Sequence, residues 1–238
     1  MSKAPAVDYA LAILEFFSQA QGEVGIADIS NALNINKNAV SRVLEAFLEQ
    51  QWIYLSDERQ RKYRLTLKPF SLIAKGTPQY ALAEMAAPEV RELNRALKDA
   101  VYFGVRNGEN VLYLLHQDSQ HEVRVNGRVG GEYPLERSAP GKVLLAYGTH
   151  EAAFDAAAAE IQKQGYALDN EEFAKGVLCL ACPVYAREGK VAAAVGITSL
   201  TLYDTPDSLI REKLPPLLAA AERISRRLGF AAGKGEQT

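Results

Sequence analysis

Several features that would mark a secreted, membrane or catalytic protein are scarce or missing. Two cysteines in 238 residues are too few for a disulfide framework. No apolar run is long enough to cross a bilayer, and Asp8 and Glu15 interrupt the N-terminal apolar residues, unlike a signal peptide. A G-x-S-x-G motif, a glycine-rich phosphate loop and paired carboxylates at a strand end are absent from the sequence. We therefore expect a cytoplasmic protein that is not an enzyme, has no cofactor or metal, and does not bind membranes.

The composition is that of an ordinary globular protein. Apolar residues make up 48% of the chain, charged residues make up 24%, and the formal net charge is −2. A chain of 238 residues exceeds one average domain. We expect two domains, each with a core of its own.

The N-terminal part has the pattern of a helix-turn-helix. Apolar residues recur at helical spacing over residues 26–33, and Asn36 is a natural N-cap for a second helix that runs to about Gln50. The polar side of this second helix carries Lys37, Asn38, Ser41 and Arg42. In a helix-turn-helix, such residues meet base edges in the major groove of DNA. We expect these four side chains to contact DNA.

A β-hairpin is predicted directly after that helix, which is the layout of a winged helix. Residues 52–55 and 61–65 are typical of strands, and residues 56–59 are typical of a turn. Seven Lys or Arg stand against four Asp or Glu over residues 36–68. Because phosphates attract this excess of positive charge, we expect Arg59 and Arg61 to contact the DNA backbone. Residues 1–68 are thus predicted to be a winged helix-turn-helix DNA-binding domain.

Residues 69–86 are predicted to form a linker helix, kinked or broken near Gly76. Apolar side chains in this helix and just before it offer a face for a second copy of the chain, and they are Leu67, Phe70, Leu72 and Ile73. Helix-turn-helix proteins gain specificity by binding paired half-sites as dimers. We therefore expect a homodimer on a palindromic double-stranded operator.

Residues 87–238 are predicted to form an α+β domain. A helix is expected from residue 88, and hairpins are expected over residues 100–117 and 177–201. Residues 122–129 alternate apolar with polar side chains, as a half-exposed strand does. Strands joined by hairpins and bounded by helices indicate a mostly antiparallel sheet.

The order of these elements resembles the IclR family of bacterial transcriptional regulators over nearly the full length. Residues 165–172, GYALDNEE, and residues 179–185, CLACPVY, are similar to the family signature, although Ala186 replaces its usual closing acidic or amide residue. Residues 134–146, PLERSAPGKVLLA, resemble the segment at the mouth of the family's effector pocket. The resemblance implies a ligand-responsive regulator, a repressor, with a GAF-like C-terminal domain. It also implies that two dimers can join as a tetramer.

The resemblance further implies which residues bind a small organic effector, a carboxylate or an aromatic molecule. These residues are Ala139, Pro140, Gly141, Asp169, Cys179, Gly196 and Thr198. A helix N-terminus offers amides to a carboxylate, but Pro140 lacks a backbone donor. Gly196 lacks a hydroxyl that would orient a ligand and should leave more room. Each side chain also has a purely structural explanation, with Asp169 as a turn residue, Cys179 as a small buried residue and Thr198 as a strand former.

Two other functions compete with the regulator. One is a small-molecule enzyme that uses Cys179 or Asp169, and the other is a helix-turn-helix that serves as a protein-interaction module. Cys179 and Cys182 form a C-x-x-C pattern, but residues three apart on a strand point to opposite faces, which disfavours a redox pair. Zinc would need two further ligands, which the sequence does not place at metal spacing. His116, His121 and His150 are scattered, and we expect them on the surface or at a pocket rim.

Overall fold

The computed structural model describes residues 4–20, 22–69, 71–72, 78–148 and 156–230. The chain divides into two compact units, residues 1–77 and 78–238. Four residues discussed above lie outside the described residues, and they are Phe70, Ile73, Gly76 and His150. No helix within the described residues is long and apolar enough to cross a membrane.

The first unit packs helices on a small antiparallel sheet whose strand order is β1-β3-β2. Its helices are α1 (Pro5–Gln19), α2 (Ile26–Leu33) and α3 (Lys37–Glu49). Its strands are β1 (Val24–Gly25), β2 (Ile53–Asp57) and β3 (Lys62–Leu65). Helix α3 begins where the sequence predicts, because the Asn36 side chain accepts a hydrogen bond of 2.8 Å from the Asn38 amide. The predicted helix-turn-helix and hairpin are both confirmed.

One face of α3 is fixed by the core of the first unit. Val40, Leu44 and Phe47 are buried and pack in one cluster with Ile29 of α2 and Tyr63 of β3. Burial of these side chains stabilises the unit by about 1.5–3 kcal/mol for each large apolar group. Because this face is committed to the core, the opposite face of α3 must point to solvent.

The second unit is built on a six-stranded antiparallel sheet with strand order β6-β5-β4-β9-β8-β7. The strands are β4 (Ala100–Asn107), β5 (Asn110–Gln117), β6 (Glu132–Pro134), β7 (Ala167–Asn170), β8 (Val177–Tyr185) and β9 (Val191–Leu200). The longer helices are α4 (Pro78–Leu97), α5 (Ala139–Ala146), α6 (Ala156–Gln164) and α7 (Leu214–Arg227). A π-helical turn, Leu209–Lys213, precedes α7. This arrangement confirms the predicted α+β fold.

Helices cover both faces of this sheet, so its central strands are buried. On one face α4 and α7 contribute Val90, Leu93, Leu217 and Ile224 to a core that also contains Leu180 of β8. On the other face, side chains of α5 and α6 pack against alternate residues of the same strands. Strand residues therefore alternate between two cores, which explains why β8 is almost continuously apolar.

Two predictions about the second unit are wrong. Helix α4 begins at Pro78 rather than at residue 88 and passes through Pro88, so one helix spans the predicted boundary between linker and second domain. The missing amide of Pro88 is tolerated because Ala86, Val90 and Leu93 are buried against the sheet on both sides of it. Residues 122–129 form no strand, because their alternating pattern finds no neighbouring strand to pair with.

A buried ion cluster joins the start of β4 to the turn before α7. The Lys213 Nζ atom lies 2.6 Å from Asp99 Oδ2 and 2.6 Å from Asp204 Oδ2. Ser199 donates a hydrogen bond of 2.5 Å to Asp204, and His121 Nε2 lies 3.4 Å from Asp99 Oδ1. Asp99 has no exposed surface, so its charge depends on these partners rather than on water.

Replacing Lys213 with methionine should destabilise the protein by about 3–5 kcal/mol, because two buried carboxylates lose their cation. The matched control is Arg211→Met, since Arg211 pairs with the exposed Glu212 and should cost less than about 0.5 kcal/mol. Urea unfolding followed by circular dichroism measures both. Equal costs for the two variants would show that the cluster does not hold this end of the sheet.

Candidate nucleic-acid interface and ligand pocket

The exposed face of α3 carries the four polar residues that the sequence singles out. Lys37, Asn38 and Arg42 are exposed, and Ser41 is half-buried with its hydroxyl donating 3.1 Å to Glu45 Oε1. Among the described residues, Lys37 and Arg42 have no ion-pair partner. Their positive charges are therefore available to a polyanion at the start of the helix.

The hairpin between β2 and β3 presents two further arginines. Asp57 Oδ1 accepts hydrogen bonds from the amides of Arg59 and Gln60 at 2.8 and 2.9 Å, and these bonds fix the turn. The exposed side chain of Arg59 makes no salt bridge within the described residues. Arg61 is also exposed, and its Nε and terminal nitrogen each lie 3.3 Å from the Tyr63 hydroxyl. The hairpin turn therefore carries one exposed arginine, Arg59, whose guanidinium has no partner within the described residues, and a second, Arg61, whose guanidinium is held by Tyr63.

Other basic residues of the hairpin are neutralised within the first unit. Lys62 pairs with Asp28 at 2.7 Å, and Arg64 lies 3.6 Å from Glu23. The side chain of Lys68 donates to the Gln50 carbonyl at the end of α3. Part of the positive charge counted in the sequence is therefore neutralised by contacts within the first unit. The charges that stay available to DNA are those of α3, Arg59 and Arg61.

A pocket lies in the second unit, on the side of the sheet that α5 covers. Its cavity volume is about 40 Å³. Five of the residues that the sequence singles out line it, and they are Ala139, Pro140, Asp169, Cys179 and Thr198. The structure thus brings together residues from α5, β7, β8 and β9, whereas Gly141 and Gly196 do not line the pocket.

Gly196 leaves no open space for a ligand, because Tyr102 fills it. The two residues are paired across β4 and β9, and a Cβ atom on Gly196 would lie 2.3 Å from the Tyr102 hydroxyl oxygen. The Tyr102 hydroxyl passes over the glycine and donates a hydrogen bond of 3.2 Å to the Leu180 carbonyl. The extra room expected from the sequence is therefore occupied by a phenol.

The start of α5 offers fewer amides than a typical helix N-terminus. Ser138 caps the helix by accepting a hydrogen bond of 3.3 Å from the Gly141 amide, and Pro140 has none to give. A Cβ on Gly141 would lie 2.1 Å from the Leu135 carbonyl oxygen, so Gly141 serves close packing. The Ala139 amide is the donor of this first turn that has no partner among the described residues.

Asp169 is wholly buried, and its two oxygens differ. The Oδ1 atom accepts the amides of Glu172 and Phe173 at 2.8 and 3.2 Å, whereas Oδ2 has no partner in the described structure. Burial raises the pKa of this carboxyl, although the two amides and the charge of Lys142 oppose the shift. Lys142 itself is drawn to Glu172 at 2.5 Å.

The thiol of Cys179 faces Thr198 across β8 and β9, as the sequence predicts, with 3.3 Å between Sγ and Oγ1. Burial raises the pKa of Cys179 to about 12, so it is a protonated thiol and not a nucleophile. Cys182 lies on the opposite face of β8, in the core beneath α4 and α7. The prediction that the two cysteines point to opposite faces is confirmed.

Sequence reasoning missed the aromatic residues of the pocket. Tyr102, Tyr113 and Tyr133 come from β4, β5 and β6 and form a row, with ring centroids 4.7 and 4.3 Å apart. Phe173 meets Tyr133 edge-on at 5.9 Å, and His116 also lines the pocket. A bulge between Phe103 and Gly104 shifts the β4–β5 register, so the hairpin sequence alone does not align these rings.

Neither cysteine of the native protein should react with Ellman's reagent at pH 8, because both thiols are buried and protonated. Two equivalents should react at once after unfolding in guanidinium chloride. The absorbance of the released thiolate measures both states. Fast reaction of one thiol in the native protein would revive the alternative of a nucleophilic cysteine.

The chain matches two family profiles. The profile "IclR helix-turn-helix domain" matches residues 6–56, and the profile "Bacterial transcriptional regulator IclR C-terminal" matches residues 75–157 and 148–226. Together they cover most of the chain.

Relatives and solved structures agree with these matches over nearly the full length. The chain is 30% identical to the HTH-type transcriptional regulator KdgR of Escherichia coli, covering 94% of each protein. It is 28% identical to the DNA-binding transcriptional repressor YiaJ of Escherichia coli, covering 92% of this chain and 86% of that protein. The crystal structure of an IclR homolog complexed with 4-hydroxybenzoate from Microbacterium hydrocarbonoxydans shares its fold, with a TM-score of 0.79 at 18% identity, covering 94% and 99%.

Proposed function

The chain belongs to the IclR family of bacterial transcriptional regulators, and from this premise we propose how its two units divide the function. Relatives are DNA-binding regulators and repressors rather than enzymes, so this chain is a ligand-modulated DNA-binding regulator. We propose that it is a repressor of the bacterial cytoplasm, with α3 bound to its operator and an effector in the pocket of the second unit. The observation that carries the proposal is the exposed start of α3, where Lys37 and Arg42 form no salt bridge within the described residues.

On the DNA side, we propose that Lys37, Asn38, Ser41 and Arg42 enter the major groove. Arg42 can form two hydrogen bonds with a guanine edge, and Asn38 is suited to adenine. Arg59 and Arg61 then reach flanking phosphates from the hairpin. Arg59 is the better placed of these two, because its guanidinium has no partner in the described part of the first unit, whereas the guanidinium of Arg61 is held by the Tyr63 hydroxyl.

On the ligand side, we propose that Asp169, Cys179 and Thr198 surround a small organic effector, with the Ala139–Pro140–Gly141 turn opposite. A carboxylate oxygen of the effector can accept the free Ala139 amide. Gly141 and Gly196 act indirectly, because one permits the close packing of α5 and the other admits Tyr102. The effector changes operator affinity by favouring one of two conformations, which requires a different affinity for each.

Arg42→Ala should weaken binding to a selected operator by about 1–3 kcal/mol and relax its base preference, because a base contact is lost. Arg59→Ala should weaken all duplexes alike and lower the salt dependence by about one counterion, because a phosphate contact is lost. Fluorescence anisotropy at several salt concentrations measures both. The control is Arg64→Ala, since Arg64 is paired with Glu23. Unchanged operator affinity in Arg42→Ala would refute the proposed recognition face.

Thr198→Val should weaken effector binding by about 1–3 kcal/mol, because a hydroxyl is removed from the pocket while the volume is nearly kept. Operator affinity without effector should not change, since the fold is preserved. Calorimetry with an effector found by thermal-shift screening measures the first quantity, and anisotropy measures the second. The control is Thr201→Val, an exposed residue outside the pocket. Normal effector binding by Thr198→Val would remove Thr198 from the site.

We further propose a homodimer formed through the first unit and the linker, and a tetramer of two dimers, bound to a palindromic operator. Leu67 is 81% exposed and Leu72 is 50% exposed, so both can bury apolar surface against a second copy of the chain. Light scattering at micromolar concentration should give at least twice the mass of one chain. Leu67→Lys with Leu72→Lys should lower that mass. A wild-type monomer would contradict the proposal.

A further inference from the structure

The lining of the pocket contains two fully buried polar atoms that have no hydrogen-bond partner among the described residues. They are Asp169 Oδ2 and His116 Nδ1. A buried polar atom without a partner is costly, so natural proteins rarely keep one unless water, an ion or a ligand satisfies it. Two such atoms in the walls of one pocket therefore describe what the ligand has to supply.

The hydrogen bond on the other side of the His116 ring defines the role of Nδ1. The His116 Nε2 atom lies 3.1 Å from the carboxylate oxygen Asp118 Oδ1, which can only accept, so Nε2 carries the proton. In the neutral ring, Nδ1 is then a hydrogen-bond acceptor. The side chain is 8% exposed, and the ring packs so closely beneath Gly127 that a Cβ there would lie 2.3 Å from Cε1. His116 is thus held in one orientation in the pocket wall.

Asp169 Oδ2 is the second acceptor. The two amides that bind Oδ1 stabilise the ionised carboxylate, and the nearest cation, Lys142, is turned towards Glu172 and the Leu168 carbonyl. The remaining ionisable groups that influence Asp169 from β8, β4 and β5 are Cys179, Tyr102 and Tyr113. Burial keeps these three neutral by raising each pKa. No lysine or arginine lines the pocket within the described residues.

The tyrosine row does not favour a cationic ligand over a neutral ligand that donates hydrogen bonds. Tyr113 lies between Tyr102 and Tyr133, with an interplanar angle of 7° to the first and 30° to the second. Both faces of Tyr113, which would attract an ammonium group, are therefore covered by other rings.

We propose that the effector is a small polyhydroxylated molecule, in which one hydroxyl donates to Asp169 Oδ2 and another donates to His116 Nδ1. This inference rests on the proposed function, because it takes the pocket to be the effector site. His116 then determines specificity, because a ligand with a second hydrogen-bond donor binds more tightly than a ligand without one. A carboxylate without hydroxyl groups would be disfavoured at the same place. Its oxygens can only accept hydrogen bonds, as Asp169 Oδ2 and His116 Nδ1 do, and its negative charge would repel that of Asp169. An acidic group elsewhere on the effector is compatible with the Ala139 amide.

A test without any ligand examines the acceptors directly. In the full-length protein, long-range ¹H–¹⁵N correlation spectra should show a proton on Nε2 of His116 and none on Nδ1. The carboxyl carbon of Asp169 should have the chemical shift of an ionised group. A His116 proton on Nδ1, or a protonated Asp169, would overturn the proposal, because the pocket would then present donors.

A second test uses defined probes with the full chain. Erythritol, xylitol and gluconate supply several hydroxyls, and propionate and succinate supply carboxylates alone. At pH 7.5 calorimetry should detect binding of at least one hydroxylated probe and of neither hydroxyl-free acid. His116→Phe keeps an aromatic ring but removes the acceptor, so it should weaken that binding about tenfold or more. Tyr54→Phe is the control, because Tyr54 is an exposed aromatic residue of the first unit outside this pocket.

Lowering the pH provides an independent test of the proposal. Burial raises the pKa of Asp169, and protonation of its carboxyl turns an acceptor into a donor, so binding of the hydroxylated probe should weaken as the pH falls through that pKa. Asp169→Asn should also weaken it, which decides the matter if His116→Phe does not fold. The proposal is wrong if no hydroxylated probe binds, if only hydroxyl-free acids bind, or if both variants bind normally. An acid that binds and alters operator affinity would leave the proposed function intact, whereas loss of all salt-dependent DNA binding would refute that function separately.

Discussion

Asp169 lies near the end of β7 and has no exposed surface. One oxygen of its carboxylate holds the following turn, and the other has no partner among the described residues. Through Oδ1, Asp169 holds the amides of the following turn, which carries Phe173 to the wall of the pocket. Glu171 in that turn has a φ of +60° and accepts the Gly176 amide at 2.8 Å, so the turn is itself strained and braced. An unpaired buried oxygen such as Oδ2 costs about 1–3 kcal/mol. The rest of the sheet has to offset this cost, and a ligand that donates to Oδ2 recovers part of it.

The six-stranded sheet supplies that support. Strands β4, β9 and β8 lie at its centre with helices on both faces, so the backbone beneath the pocket has little freedom. The close approach of Tyr102 to Gly196 and the Leu180 carbonyl ties these three strands together from the pocket side. From the other side, the ion cluster around Lys213 holds the start of β4 and the end of β9. A rigid floor of this kind lets a few polar atoms discriminate among ligands.

The sequence was a good guide where local patterns decide the structure. Asn36 capped α3 as expected, and the apolar stripe of α3 identified both its buried and its exposed faces. It was a poor guide where contacts between distant strands decide. Tyr102, Tyr113 and Tyr133 meet only after a bulge shifts the register, and the apparent gap at Gly196 is filled from a neighbouring strand. Residues 122–129 had the alternation of a strand but no partner, and Pro88 had the signature of a helix start but lies inside α4.

Ligand control of DNA binding requires that the pocket and the α3 surface influence each other's affinity. Thermodynamic linkage makes this influence reciprocal, because an effector that changes operator affinity by some factor must itself bind differently by the same factor when operator is present. The most direct measurement is a calorimetric titration of effector into the full-length protein with and without saturating operator, beside an operator titration with and without effector. Operator should change the effector affinity by a factor different from one. Effector should change the operator affinity by the same factor. Effector affinity that is the same with and without operator would contradict this expectation.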